Sequence, residues 1–344
     1  MFSRTPKNNT EDATLAVASS GVSDAGGSSP LVGPLSYVSS RALAGLASLA
    51  ALSEPAFSKS AVDNPLPILT DAQFVPDEGA ASRMYYAGEL RMLSQQIPTA
   101  ACAYHAGIAT DVSRPLLRDA TAAFDRILDA LILGDEELGI FGAETDRMIL
   151  ADVKAVHDIW DPLHRNVDAI LADGPTDADV TALVDGSLPL LKLTGHMVSV
   201  VSGEYADPSI LMQSDAVMLD IVGRQEMLTQ EIAKDICMVK IGLKTEAARD
   251  EMRGALQTYD VTLAALIDGM PAAGVSPPPT PEIAAGLDSI AADWATLRPQ
   301  LVAVLDGTIP DDAGQLHIFT TLNDLTARMA ALAKLYAEDS KLGL

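Results

Sequence analysis

The chain has 344 residues, of which 48% are hydrophobic and only 4% are aromatic. Its formal net charge of −24 argues against nucleic acid or a direct membrane contact through anionic lipid, because either partner would be repelled at long range. The length predicts two domains of ordinary size, and the abundance of Ala and Leu favours an all-α fold.

The first residues of the chain differ in composition from the rest. Residues 1–75 are rich in Ser, Gly and Pro, which predicts a disordered tail and linker with one short helix near 40–53. No run of about 18 apolar residues occurs, so we expect no membrane-spanning helix. A secretory signal would place a short basic stretch directly before an apolar segment, and this start lacks that pattern.

From residue 76 onward the hydrophobic pattern is helical. Stretches rich in Gly, Pro and Asp interrupt it and divide it into eight helices. These stretches are 107–115, 133–145, 172–179, 203–209, 242–246, 268–282 and 306–314. Four predicted helices precede 203–209 and four follow it.

The two groups of four helices repeat each other at one constant displacement along the chain, which we call the repeat shift. Without a gap, the repeat shift aligns Gly88 with Gly223, Met92 with Met227, Gln95 with Gln230, Cys102 with Cys237, Asp125 with Asp260 and Gly134 with Gly269. One deletion then aligns Trp160 with Trp294. The chain is therefore predicted to be a tandem duplication, with units at 76–205 and 206–344, each an up-down four-helix bundle.

The first helix of each unit has two different faces. One face is apolar and includes Leu93 and Ile97, which predicts the core of its own bundle. The opposite face is poor in charge and carries Gly88, Arg91, Met92, Gln95 and Cys102, and in the second unit Gly223, Glu226, Met227, Gln230 and Cys237. Such a face predicts a second helix-helix interface, since glycine permits close approach and methionine adapts to irregular contacts. A weakly selected surface is the alternative.

The segments GELRMLSQQI (88–97) and GRQEMLTQEI (223–232) resemble a known signature, GRQRMLSQR. This signature begins the extracytoplasmic sensor domain shared by type IV pili methyl-accepting chemotaxis transducers and nitrate/nitrite sensor kinases, the PilJ/NarX-like domain. The resemblance covers residues 78–203 and 208–342. It implies a four-helix bundle in which the first helices of two subunits meet around an anion. The arginine that precedes the methionine binds this anion.

The resemblance implies a set of ligand-binding residues in this chain. The anion-binding arginine corresponds to Arg91 in the first unit, whereas the second unit has Glu226 there. The arginine next to the signature glycine corresponds to Arg224, whereas the first unit has Glu89. The implied ligand-binding residues are Gly88, Arg91, Gln95, Arg224 and Gln230. The nitrate sensors also have a lysine five residues before the arginine, where this chain has Tyr86 and Ile221.

Two arrangements of the first helices stay open. If the two units pack as a pseudo-dimer, Arg91 lies near Glu226, and we expect an internal salt bridge that needs no ligand. If two chains form a homodimer through their first units, two copies of Arg91 converge, and an anion is required to offset their repulsion.

The cysteines and tryptophans occupy equivalent positions in the two units. A pseudo-twofold packing could join Cys102 to Cys237 as a disulfide, but in a reducing compartment we expect both to be reduced small hydrophobes. Trp160 and Trp294 are predicted to anchor the core from the third helix of each bundle.

No known catalytic or metal-binding motif is present in the sequence. It has no CxxC pair, Cys/His cluster, nucleophile elbow, P-loop or dinucleotide motif, so we expect no enzyme, no metal and no cofactor. These features predict a non-enzymatic sensory module that binds a small anion or a protein partner at the first-helix seam and relays its signal to a separate protein. An acidic helical scaffold or adaptor with a decayed ligand site is the alternative. We expect a cytoplasmic location, although the resemblance implies the periplasm.

Overall fold

A computed structural model of the chain describes residues 80–205 and 213–339. The predicted tail at 1–75, with its short helix near 40–53, lies outside the described residues. All described residues fall within one compact unit, Ser39–Leu344.

The described chain is helical, as predicted. It contains eight α-helices, which we number α1 Ala80–His105, α2 Thr110–Leu133, α3 Arg147–Asp173, α4 Asp177–Tyr205, α5 Gln213–Ile241, α6 Thr245–Asp268, α7 Pro281–Leu305 and α8 Asp312–Asp339. Two short 3-10 helices, Glu136–Leu138 and Pro271–Ala273, lie in the loops before α3 and α7. None of these described helices is long and apolar enough to cross a membrane.

Each half of the described chain is an up-down four-helix bundle. Helix α1 packs on α2 and α4, and α3 closes the first bundle by packing on the same two helices. Helices α5, α6, α7 and α8 repeat this arrangement in the second. Apolar residues three or four apart form the inward face of α3, which is buried at Ile149, Val153, Val156, Trp160, Leu163, Val167 and Ile170.

The backbone repeats the duplication residue by residue. Gly107 and Gly242, which follow the first helices, have φ angles of 72° and 74°. Ala109 and Lys244 also lie at equivalent positions and share a left-handed conformation, with φ angles of 44° and 46°. This conformation is uncommon for residues other than glycine, so its recurrence supports the repeat shift.

The tryptophans anchor equivalent cores, as predicted. Trp160 packs on Phe124 with ring centroids 4.4 Å apart, and Trp294 packs on Tyr259 at 4.0 Å. Each indole also makes the same polar contact. Trp160 Nε1 donates to Asp125 Oδ1 at 2.6 Å, and Trp294 Nε1 donates to Asp260 Oδ1 at 2.8 Å.

The two bundles pack against each other through α1 and α5, which form the first-helix seam. Cys102 and Cys237 are buried in this seam and form a disulfide, with Cα atoms 6.1 Å apart. The prediction that the charge-poor face is an interface is therefore confirmed. The expectation of reduced cysteines was wrong, because the packing brings these two equivalent positions together.

Candidate functional site

Polar contacts across the first-helix seam come in pairs related by exchange of the two units. Lys234 Nζ donates to Gln95 Oε1 at 3.0 Å, and Thr99 Oγ1 donates to the Gln230 carbonyl at 2.8 Å. The repeat shift is 135 residues, the separation of the disulfide cysteines. It aligns Gln95 with Gln230 and Thr99 with Lys234, so the two contacts join equivalent pairs of positions. Helices α1 and α5 therefore run parallel about a pseudo-twofold axis.

Arg91 crosses the seam and is nearly inaccessible to solvent, at 4% exposure. Its Nη1 donates to Asp220 Oδ1 at 2.7 Å, and its Nη2 donates to the Asp220 carbonyl at 3.2 Å. Arg224, one turn after Asp220 on α5, donates from Nε to the other carboxylate oxygen at 2.8 Å. Two guanidinium groups thus hold one carboxylate, and we call Arg91, Asp220 and Arg224 the arginine clamp.

The charges of the arginine clamp are mutually compensated. Burial on its own would raise the pKa of the Asp220 carboxyl, but Arg91 and Arg224 outweigh this effect and hold the pKa below its ordinary value. Asp220 is therefore ionised at neutral pH. The pair provides the compensation that a buried guanidinium requires, because an unpaired charge in this position is costly.

Glycine makes room for the clamp on one helix only. A Cβ atom at Gly223 would lie 3.2 Å from Arg91 Nη2, whereas a Cβ atom at Gly88 would meet nothing within 4 Å. Of the two equivalent signature glycines, Gly223 permits the close approach of Arg91. Gly88 makes no comparable contact.

The predicted salt bridge between Arg91 and Glu226 was wrong. Arg91 pairs with Asp220, which the repeat shift aligns with Tyr85. Since Glu226 is the equivalent of Arg91, it interacts instead with Tyr85 and with Glu89. Equivalent residues of the two helices meet only where they lie on the pseudo-twofold axis. Arg91 and Glu226 lie away from this axis and are therefore on opposite sides of it.

The other side of the axis is acidic. Burial, followed by the negative charge of Glu89, raises the pKa of Glu226 to about 8, although Arg91 and Lys334 act in the opposite direction. Burial also raises the pKa of Glu89, and the neighbouring Tyr85 hydroxyl acts in the opposite direction. We call Tyr85, Glu89 and Glu226 the acidic group. Its members are the equivalents of Asp220, Arg224 and Arg91.

The side-chain nitrogens of the predicted ligand residues Gln95 and Gln230 donate within their own bundles, whereas the side-chain oxygen of Gln95 accepts from Lys234 across the seam. Gln95 Nε2 donates to the Ser187 carbonyl on α4 at 3.2 Å. Gln230 Nε2 donates to two side chains on α8, Asn323 at 3.2 Å and Thr326 at 2.8 Å. The structure therefore brings Arg91 and Arg224 together, while the two glutamines join the first helix of each bundle to the fourth.

The sequence analysis missed Asp220, which completes the clamp. This residue lies before the signature, and the internal alignment pairs it with Tyr85, so neither argument identifies it. Its spacing of four residues from Arg224 places both side chains on one helical face and was an available signal.

Comparison with protein-family models gives two tandem matches. Residues 77–185 and residues 211–317 both match the N-terminal domain of type IV pili methyl-accepting chemotaxis transducers, named PilJ. No curated protein matches the chain. Both matches include a signature helix, and together they span more than half of the sequence, within the predicted units 76–205 and 206–344. The chain therefore belongs to the PilJ family of signal-transduction sensory domains and carries two tandem copies of that domain.

Proposed function

We propose that the chain is a non-enzymatic sensory module whose input site is the arginine clamp and whose ligand is a small planar oxyanion such as nitrate or nitrite. The observation that carries this proposal is the convergence of Arg91 and Arg224, one from each unit, on a single carboxylate. A carboxylate and nitrate are both planar anions, and a guanidinium group presents parallel N–H donors to either.

In this proposal Asp220 is an internal competitor of the ligand. An anion reaches Arg91 only when the Asp220 carboxylate leaves it, and Asp220 is 21% exposed, so it has access to solvent. Exchange of the carboxylate for the anion removes an ion pair that joins α1 to α5. The anion shifts the packing of the seam to the extent that it prefers the opened state, and a protein partner reads that shift.

Calorimetry with nitrate, nitrite and chloride tests the clamp. We expect weak nitrate binding to the wild type, tighter binding to Asp220→Ala because the competitor is gone, and no binding to Arg91→Ala. Arg126→Ala serves as the control, since Arg126 is exposed and pairs with Asp135 outside the seam. Absence of anion binding to both the wild type and Asp220→Ala would contradict the proposed ligand class.

The occupied clamp favours a second candidate function. Asp220 already compensates Arg91, so the seam is complete without a ligand, and the chain carries a net charge of −24. The chain would then be an acidic scaffold or adaptor that binds a basic surface of another protein. Anion binding by Asp220→Ala combined with none by the wild type supports this candidate over the sensor.

We also propose an oxidising compartment outside the cytoplasm, in place of the cytoplasmic location expected from the sequence. The buried disulfide between Cys102 and Cys237 supports this, because such bonds persist mainly in oxidising environments. Fractionation combined with thiol alkylation checks it, and a cytoplasmic protein with two free thiols would contradict it. Homodimerisation stays a prediction.

A further inference from the structure

Three carboxyl groups converge in the second bundle, about three to four turns along α5 from the clamp residue Asp220. Glu231 and Asp235 lie one turn apart on α5, and Glu251 faces them from α6. One oxygen of each carboxyl lies within 4.8 Å of the others. We call these three residues the carboxyl cluster.

Asp235 is the buried member of the carboxyl cluster. It is 0% exposed, and within the described residues neither of its carboxyl oxygens has a hydrogen-bond partner. The ammonium group of Lys234 lies 3.6 Å from Oδ1, beyond hydrogen-bond distance, and donates instead to Gln95 and Glu251. A buried carboxylate without donors is costly, so the ionised form of Asp235 requires a further positive partner in addition to Lys234.

A cavity of about 300 Å³ gives access to the cluster. Its walls include Glu231 and Glu251, and the carboxyl of Asp235 lies within 4.8 Å of theirs without lining the cavity itself. The cavity is large enough for several water molecules. A bound ion could therefore take ligands from the protein on one side and from water on the other.

The first bundle has no such cluster at the equivalent positions. The repeat shift aligns Glu231 with Gln96, Asp235 with Ala100, Glu251 with Leu116 and Lys234 with Thr99. Because the first bundle folds with uncharged residues there, the carboxyl cluster is not a requirement of the four-helix architecture. It is a property of the second unit alone.

We propose that Glu231, Asp235 and Glu251 bind a divalent cation of the class that prefers oxygen ligands, Ca²⁺, Mg²⁺ or Mn²⁺. Carboxylates are hard oxygen donors, and these cations complete their coordination with water. When all three carboxyl groups are ionised, they exceed the Lys234 ammonium by two negative charges, which a divalent cation neutralises. The cation supplies the direct contact that the Asp235 oxygens lack and leaves Lys234 to its contact with Gln95 across the seam.

Mn²⁺ titration of chelator-treated protein, followed by electron paramagnetic resonance of the free ion, tests the site. We expect saturable binding to the wild type and at least about a tenfold loss of affinity in Asp235→Asn and in Glu251→Gln. Glu251 is 36% exposed in its side chain, so its substitution threatens the fold less than that of Asp235. Glu246→Gln, an exposed carboxyl on the same helix that pairs with Arg249, should bind as the wild type does.

Lys234→Met provides a second and opposite test. Removal of the ammonium group should tighten Mn²⁺ binding by about tenfold or more, because the like charge that opposes the cation is lost. Circular dichroism establishes that each variant is folded. The proposal is overturned if the folded wild type binds no Mn²⁺, if the Asp235 and Glu251 variants bind it as tightly as the wild type, or if Lys234→Met weakens binding.

Discussion

Equivalent residues on the two sides of the seam carry opposite chemistry. The clamp is an ion triplet in which one carboxylate compensates two guanidinium groups. The acidic group places a phenol and two carboxyls in the corresponding positions. Removing one charge therefore has different consequences on the two sides. Only in the clamp is a buried charge, that of Arg91, compensated by an oppositely charged partner, Asp220.

A double-mutant cycle should detect the bond between Arg91 and Asp220. We expect Asp220→Ala to lower the free energy of unfolding by about 2–4 kcal/mol, because it leaves the buried Arg91 with weaker compensation. The coupling to Arg91→Ala should be about 1–3 kcal/mol. Urea unfolding of the four proteins measures both quantities. The matched cycle of Arg91→Ala with Glu226→Gln should give a smaller coupling, and equal couplings would argue against the clamp.

Glu226 should make the stability of the protein depend on pH. Its pKa rises from 4.5 to about 8 on folding, so the folded state keeps a proton that the unfolded state has released. The stabilisation is complete below pH 4.5 and is lost as pH rises to about 8, a loss of about 3–5 kcal/mol. Urea unfolding at pH 5, 7 and 9 measures it.

The control for this pH dependence is Glu226→Gln, which cannot titrate. This variant should lose the part of the slope that Glu226 contributes, whereas Glu246→Gln should keep it. A slope of the same sign should persist in Glu226→Gln, since burial also raises the pKa of Glu89, Glu231 and Asp235. An unchanged slope in Glu226→Gln would show that Glu226 is ionised in the folded protein.

The helices were largely predictable, because each buries an apolar face with residues three or four apart. Their ends were less so. The sequence places a break at 107–115, yet α2 begins at Thr110 and contains Pro115. Pro115 is the sixth residue of this helix, beyond the four N–H groups that lack partners at a helix start, so the helix continues there with one backbone hydrogen bond fewer. The second unit has Asp250 in place of Pro115. Its predicted break, 242–246, therefore ends close to Thr245, where helix α6 begins.

Two glycines within α4 should respond oppositely to alanine. A Cβ atom at Gly186 would lie 2.5 Å and 2.6 Å from the two methyl carbons of Leu163, whereas a Cβ atom at Gly195 would meet nothing within 4 Å. Gly195→Ala should therefore stabilise the protein by about 0.5–1 kcal/mol through helix propensity. Gly186→Ala should lose that gain and destabilise, because Leu163 must repack against α4.

Thermal unfolding of the two alanine variants compares them directly. Both substitutions remove the same glycine entropy from the unfolded chain, so their difference isolates the contact with Leu163. A higher midpoint for both variants would mean that α3 and α4 accommodate a methyl group at Gly186 without cost.

The assembly of the two bundles into one unit was only partly predictable. The duplication and the charge-poor faces identified the seam, because both are patterns within the sequence. The partner of Arg91 could not be derived, since the offset between α1 and α5 depends on their packing and not on the alignment. The disulfide was foreseen as a geometric option and then rejected on the expected compartment, which the sequence does not determine.

Reduction of the disulfide should destabilise the whole described unit. Cys102 and Cys237 are 135 residues apart, and closing a loop of this length contributes about 5 kcal/mol by restricting the unfolded chain. We expect a reductant to lower the midpoint of thermal unfolding of the wild type and to leave the double variant Cys102→Ala/Cys237→Ala unchanged. Detection of two reactive thiols in the wild type, unfolded without reductant, would contradict the disulfide.

The pseudo-twofold axis has a consequence for evolution of the seam. In a dimer of identical chains every substitution appears on both sides, so an arginine introduced at position 91 would also appear at the equivalent position on the other side of the axis. Covalent fusion turns that dimer into an internal heterodimer of fixed stoichiometry, in which Arg91 and Glu226 diverged independently. The clamp occurs once per chain, so one occupant is enough to change the seam, and the change acts on the two bundles unequally.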